Sequence, residues 1–409
     1  MRDRVVEFLK TSYAGKLIDI PKKTAAYEIS NYFRAWADDI LGSDSYRLIE
    51  FIPIFSLDVM PCTVKLEEDN VNLLLWDEHY WFIYDLFLTV CDRFLKVNQK
   101  AEFCSVSEEL SSILLLYLSA RFDSSPALSR YTIEEYLRLT HHSRPYERYQ
   151  GMSYELYFGT LYNASEIGKM FGVCHELAHI AFRENKEIAI KTQNSIINYC
   201  DAYLRLVSLK QELCVDLDFD VSEKYLNGVN LLREILDDAK GITLEEISCD
   251  VIAISTLIRS LAWQGYCEEY IIDSLYDLQI FFLFDWWRSS NEKMWKMFKD
   301  VFEEPIKNDC AFVDDSHPYY RYGTKNSNEL AQRLNFPLAY CSSKFNLPMN
   351  NKSRNEKYQK IFDFVTDTDA YMYIDSILVR YQRSKKDIMS LRKHREIRDK
   401  KIGWRRINL

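Results

Sequence analysis

Turn-forming residues are scarce in this chain: 409 residues hold only 11 Gly and 9 Pro. A many-turned β-sandwich or propeller needs more of both, so the composition favours long helices. The same shortage removes glycine-dependent phosphate chemistry. No G-x-G-x-x-G, no G-x-x-x-x-G-K-[ST] and no G-x-S-x-G occurs, which leaves no signal for a dinucleotide fold, a phosphate loop or a hydrolase elbow. Long apolar runs are missing too. Trp81–Val90 is interrupted by Asp85, and Tyr270–Trp287 by Asp273, Asp277 and Asp285, so a membrane-spanning helix is not expected. The opening MRDRVVEFLKTSY is too charged for a secretory signal. The 10 Cys are scattered without a C-x-x-C, as expected of reduced thiols in a cytoplasmic protein.

What is present is an ordinary globular composition, with 47% hydrophobic and 28% charged residues, 28 Tyr, 23 Phe and a net charge of −9. Residues 1–42 have a helical pattern broken near Pro21. Three segments with strand character follow, Tyr46–Leu57, Val59–Lys65 and Val71–Trp76, each rich in β-branched or aromatic residues. From Asp77 to about Phe336 apolar residues recur at three and four, predicting helices near 78–98, 106–121, 132–140, 164–184, 187–210, 228–238, 244–264, 267–287 and 291–303. The polar stretch Asn346–Tyr358 predicts a linker or exposed loop, followed by helices at Gln359–Val365 and Ala370–Lys401. The expected fold class is therefore mainly α with a small N-terminal β-sheet. The expected division is 1–76 for the N-terminal helical segment and sheet, 77–340 for a helical domain, and 341–409 for the linker and a basic helical region.

The segment Phe171–Phe182 contains H-E-x-x-H at His175, Glu176 and His179. On a helix, residues four apart share a face with Cβ atoms ~5–6 Å apart, so the two imidazoles can meet one Zn²⁺. Glu176 lies about 100° around the helix from His175, able to reach a water at the metal without being a ligand. Asn163 and Glu166 form a plausible capping pair for this helix, and no proline interrupts it. Cys174 points away from His175 and is expected to pack in the core.

A catalytic zinc takes a third protein ligand and keeps an open fourth position. Glu246 and Asp250 are again four apart, in Glu246-Ile-Ser-Cys-Asp250. Glu245 is a rival ligand, and Thr243-x-x-Glu246 also matches a capping box that would occupy the glutamate at its own helix start. H-E-x-x-H followed by E-x-x-x-D resembles the gluzincin, thermolysin-like zinc peptidases. That resemblance implies a zincin-like core, Glu246 as the third ligand, and Asp250 holding the outer N–H of a ligand histidine.

A third element, Asp315-Ser-His317-Pro318-Tyr-Tyr-Arg321, follows. The order of the three elements resembles soluble Lit-type phage-exclusion peptidases and, more distantly, CAAX-type metallopeptidases. The departures are Ser316 in place of threonine, an arginine two positions early (Arg333 being another choice), and a longer gap between His179 and Glu246. The resemblance implies His317 and Arg321 as donors to the oxyanion of a tetrahedral intermediate. It implies a zinc-dependent endopeptidase acting on an intracellular protein or peptide, with Glu176 as general base.

Other features carry less. Asp216-x-Asp218-x-Asp220 lacks the Gly and Glu of a calcium loop, and His141-His142 sits before Ser-Arg-Pro as an exposed turn. Arg380–Arg406 holds twelve Lys/Arg against three Asp/Glu, a local charge of +9 that leaves −18 on the rest. Such an arm could bind nucleic acid or an acidic partner, or fold back on the acidic body. The rival to the peptidase reading is a non-enzymatic helical interaction protein working through that arm.

Overall fold

The computed structural model describes residues 7, 15–17, 25–42, 49–56, 62–66, 70–96, 161–212, 242–303 and 336–366, with single helical positions between Val106 and Tyr117. Four strands, β1 (Gly15–Leu17), β2 (Ile49–Ser56), β3 (Cys62–Leu66) and β4 (Val71–Asp77), form one mixed sheet in the order β1-β2-β4-β3. β4 reads VNLLLWD and is buried at every position, as a central strand covered on both faces must be. Val71, Leu73 and Leu75 join Ile54 in a small cluster on one face, while Leu74 and Trp76 point into the main core on the other. β2 runs parallel to β4, and β3 antiparallel to it.

β1 corrects the helical expectation for residues 1–42 in part: Gly15–Leu17 pairs antiparallel with Ile54–Ser56, while Glu7 and the helix α1 (Ala25–Leu41) are helical as expected. α1 buries Ile29, Phe33, Trp36, Ala37 and Ile40. It stops at Gly42, whose φ of 89° is the left-handed turn that glycine tolerates. α2 (Glu78–Lys96) starts directly after β4, where Asp77 Oδ1 accepts the His79 N–H at 3.0 Å and caps the helix.

Helix α3 (Tyr162–Glu184) carries the H-E-x-x-H motif. Two glycines let it approach α2 closely. A Cβ on Gly172 would stand 2.6 Å from the Trp81 ring, and one on Gly168 would stand 2.8 Å from the Tyr84 hydroxyl. Tyr84 donates that hydroxyl to the Ala164 carbonyl at 2.8 Å, and buried Lys169 is neutralised by Asp85 at 2.7 Å. The expected Asn163–Glu166 cap is not formed: the helix begins at Tyr162 without a side-chain cap, and Glu166 accepts the Tyr162 hydroxyl at 2.8 Å. At the other end Arg183 donates to Asn72 (2.6 Å), and Lys65 pairs with Glu184 (3.0 Å), tying α3 to β3 and β4.

Asn185 breaks the chain between α3 and α4 (Lys186–Glu212) and accepts the Glu187 N–H at 3.1 Å. α5 (Ile242–Trp263) packs against α3. α6 (Glu268–Glu303) is one helix where two were expected. α7 spans 336–345, and α8 is Lys352–Thr366. The stretch expected as a linker is thus half helix. Asn351 accepts the Arg354 N–H at 3.2 Å and starts a helix whose exposed side is polar and whose Ile361, Phe364 and Val365 are buried. The candidate helices at 132–140, 228–238 and Ala370–Lys401 lie outside the described residues, as do His141, His142 and Asp216–Asp220. The architecture is mainly helical with a small N-terminal mixed sheet. No helix among the described residues is long and apolar enough to cross a membrane.

Candidate metal centre

α3 and α5 lie side by side and bring His175, His179 and Glu246 together. The two imidazoles face each other through their Nε2 atoms at 3.1 Å. The Glu246 carboxylate closes the triangle, with Oε2 3.4 Å from His175 Nε2 and Oε1 3.5 Å from His179 Nε2. Zinc ligands at 2.0–2.1 Å in a tetrahedron stand about 3.3–3.4 Å from one another. The triangle therefore has the size of three vertices of a zinc tetrahedron.

The outer nitrogens are also provided for, and from the same helix. Asp250 Oδ1 is 2.8 Å from His175 Nδ1, and Asp250 is wholly buried. A carboxylate there favours the Nδ1–H tautomer and leaves the Nε2 lone pair aimed at the centre. His179 Nδ1 faces Glu245 Oε1 at 3.4 Å and Cys249 Sγ at 3.5 Å. The rivalry between the two adjacent glutamates is thereby resolved in space: Glu246 turns into the triangle, and Glu245 sits on its outer side.

The electrostatics fit a cation at this point. Burial depresses His175, but the Asp250 and Glu246 carboxylates outweigh it and raise the imidazole pKa to about 10. Burial and the neighbouring His175 charge lower His179 instead. Positive charge at His175 would face the His179 nitrogen and the Glu246 carboxylate, and a divalent ion would supply such charge at the same place.

The triangle opens into a cavity of about 770 Å³. Glu176 lies in its wall, on the same helix as the histidines. Cys174 does not line it: it is fully buried in the core, and burial pushes its thiol up. His317, Arg321 and the further choice Arg333 lie outside the described residues.

Not foreseen from the sequence is the rest of the lining, Tyr80, Phe171, Phe281, Phe282, Asp285 and Arg288. Arg288 is 7% exposed, donates to Tyr117 (3.0 Å) and Asp285 (2.8 Å), and lies 5.4 Å over the Tyr80 ring. Burial alone would lower its pKa, but Tyr117 and Asp285 outweigh burial and keep the guanidinium charged. The available signal was the i,i+3 pair Asp285–Arg288 inside an apolar helix, where neither charge is expected without a partner. No family model, no curated protein and no solved structure matches this chain, so the reading of the centre rests on its own atoms.

Proposed function

We propose that the chain is a zinc-dependent endopeptidase, with His175, His179 and Glu246 as metal ligands and Glu176 as general base. The observation that carries this reading is the His175–His179–Glu246 triangle, sized for zinc, with Asp250 behind one histidine and an open cavity in front. A zinc ion bound there supplies a Lewis acid that acidifies water and polarises a carbonyl oxygen. Glu176 takes the proton of the attacking water and delivers it to the leaving amine. Asp250 fixes the His175 tautomer and increases its basicity as a ligand. His317 and Arg321 are the candidates for steadying the developing oxyanion. The order of motifs, resembling gluzincin and Lit-type peptidases, supports an intracellular protein or peptide as substrate, and cysteines scattered without a C-x-x-C support a cytoplasmic location.

Metal analysis of two neighbouring variants tests the assignment. The wild-type chain is expected to hold about one zinc. Glu246→Ala should weaken binding by more than the ~10–100-fold that an outer-shell change costs, and Glu245→Ala by no more than about tenfold. Equal zinc affinity in Glu246→Ala and wild type would remove the third ligand, and the reading with it.

A further inference from the structure

The pole of the molecule where α5 ends is rich in exposed rings among the described residues. Residues 262–269 are all exposed, and Trp263 is 81% exposed. Tyr266 stacks on Tyr270 with ring centroids 4.3 Å apart. The Tyr162 hydroxyl bonds Glu166 from the start of α3, and Glu166 is near enough to Tyr270 to raise its hydroxyl pKa, after burial and Tyr266. Tyr32 stacks on Trp36, whose Nε1 donates to Ser260 at 3.1 Å, and Gln264 reaches the same hydroxyl at 3.2 Å. Four of the seven large apolar side chains exposed among the described residues, Tyr32, Tyr162, Trp263 and Tyr266, therefore gather at this pole.

The segment that builds most of it carries charge of one sign. No Lys or Arg occurs between Arg259 and Arg288, while Glu268 and Glu269 are exposed at the start of α6. Arg259, at the edge, is engaged by Asp39. Exposed rings among carboxylates bind Arg and Lys through their faces and through charge together. The chain carries a segment of matching chemistry, Arg380–Arg406, with a local charge of +9. Reach is sufficient. The Arg354–Asp273 pair fixes the start of α8 one turn along α6 from Tyr270. α8 is about 22 Å long, and the fourteen residues from Thr366 to Arg380 span up to roughly 46–50 Å.

From this juxtaposition we infer that the aromatic, acidic pole around Trp263, Tyr266, Glu268 and Glu269 is the seat of the chain's own basic segment Arg380–Arg406. The pole lies about 25 Å along α5 from Glu246 at 1.5 Å per residue. The inference is independent of the peptidase reading.

Limited trypsin digestion of the full chain, scored at Arg383 and Lys400, tests it. Trp263→Ser with Tyr266→Ser, and separately Glu268→Lys with Glu269→Lys, should each speed cleavage of the arm at least ~5-fold at low salt, because cleavage follows the population of the open form. At about 0.5 M salt the wild-type arm should be cut faster, and the charge-reversal variant should gain little further. Arg392→Glu with Lys393→Glu and Arg395→Glu should expose the arm in the same way. Combined with Glu268→Lys and Glu269→Lys, it should restore protection, an outcome that a simple loss of folding cannot give. Equal cleavage rates in wild type and variants at both salts would overturn the inference. So would protection that grows with protein concentration, which would seat the arm of a second copy, or protection that appears only with added nucleic acid.

Discussion

Asp250 Oδ1 stands 2.8 Å from His175 Nδ1, and the carboxylate has no exposure to solvent. A buried carboxylate is stable where it meets positive charge, and His175 supplies it only when protonated or bound to a metal. Asp250→Ala should lower zinc affinity ~10–100-fold while Glu246 and both histidines remain. Competition for zinc between the variant and a chelator of known affinity measures this, and an unchanged dissociation constant would show that Asp250 does not orient the ligand.

The close approach of α2 and α3 makes a second prediction. Gly172→Ala places a methyl group 2.6 Å from the buried Trp81 ring, which is itself stacked on Trp76 at 4.8 Å and Phe281 at 5.9 Å and has nowhere to retreat. Alanine gains up to ~1 kcal/mol in helix propensity, but overpacking costs ~1–3 kcal/mol, and steric conflict should win. Denaturant midpoints should fall. A more stable variant would mean that the two helices can separate freely.

Asp277 sets a pH dependence. Burial raises its pKa from 3.8 to about 6, against the opposing pull of Lys357 and Arg354. The folded chain holds this proton more tightly than the unfolded chain. The resulting stabilisation is present in full below about pH 4 and is lost as pH rises through 6. Asp277→Asn should be nearly neutral at pH 4 and more stable than wild type by ~1–3 kcal/mol at pH 7–8. Unfolding curves at the two pH values decide it, and an equal difference at both would contradict the assignment.

Much of the fold was legible because its signals are local. β4 and the helices α2, α3 and α5 follow apolar periodicity, and the four-residue spacings of His175/His179 and Glu246/Asp250 imply shared faces whatever the tertiary structure. What escaped depends on partners distant in sequence. β1 is three residues long and exists through pairing with β2, forty residues away. The second half of α8 matches the helix expected at Gln359–Val365, but its first half, 352–358, is too polar to announce itself, and the cap at Asn351 is supported by Tyr276 of α6, whose hydroxyl accepts the Asn351 N–H at 3.0 Å. At the centre, only geometry separates Glu246 from Glu245. Arg288 lies just beyond the apolar run Tyr270–Trp287, and only the fold brings Tyr117 and Tyr80 to it beside Asp285.

The central claim is that Glu176 activates water at a zinc held by its neighbours. Glu176→Gln preserves the shape of the side chain and removes its ability to accept a proton. The most direct measurement is zinc content and peptide-bond hydrolysis, determined side by side for wild type and Glu176→Gln against a peptide library. The account predicts about one zinc per chain in both, and hydrolysis in the variant reduced by at least ~10²-fold, the lower end of what a positioned general base contributes. A variant that holds zinc and cleaves at the wild-type rate would contradict it.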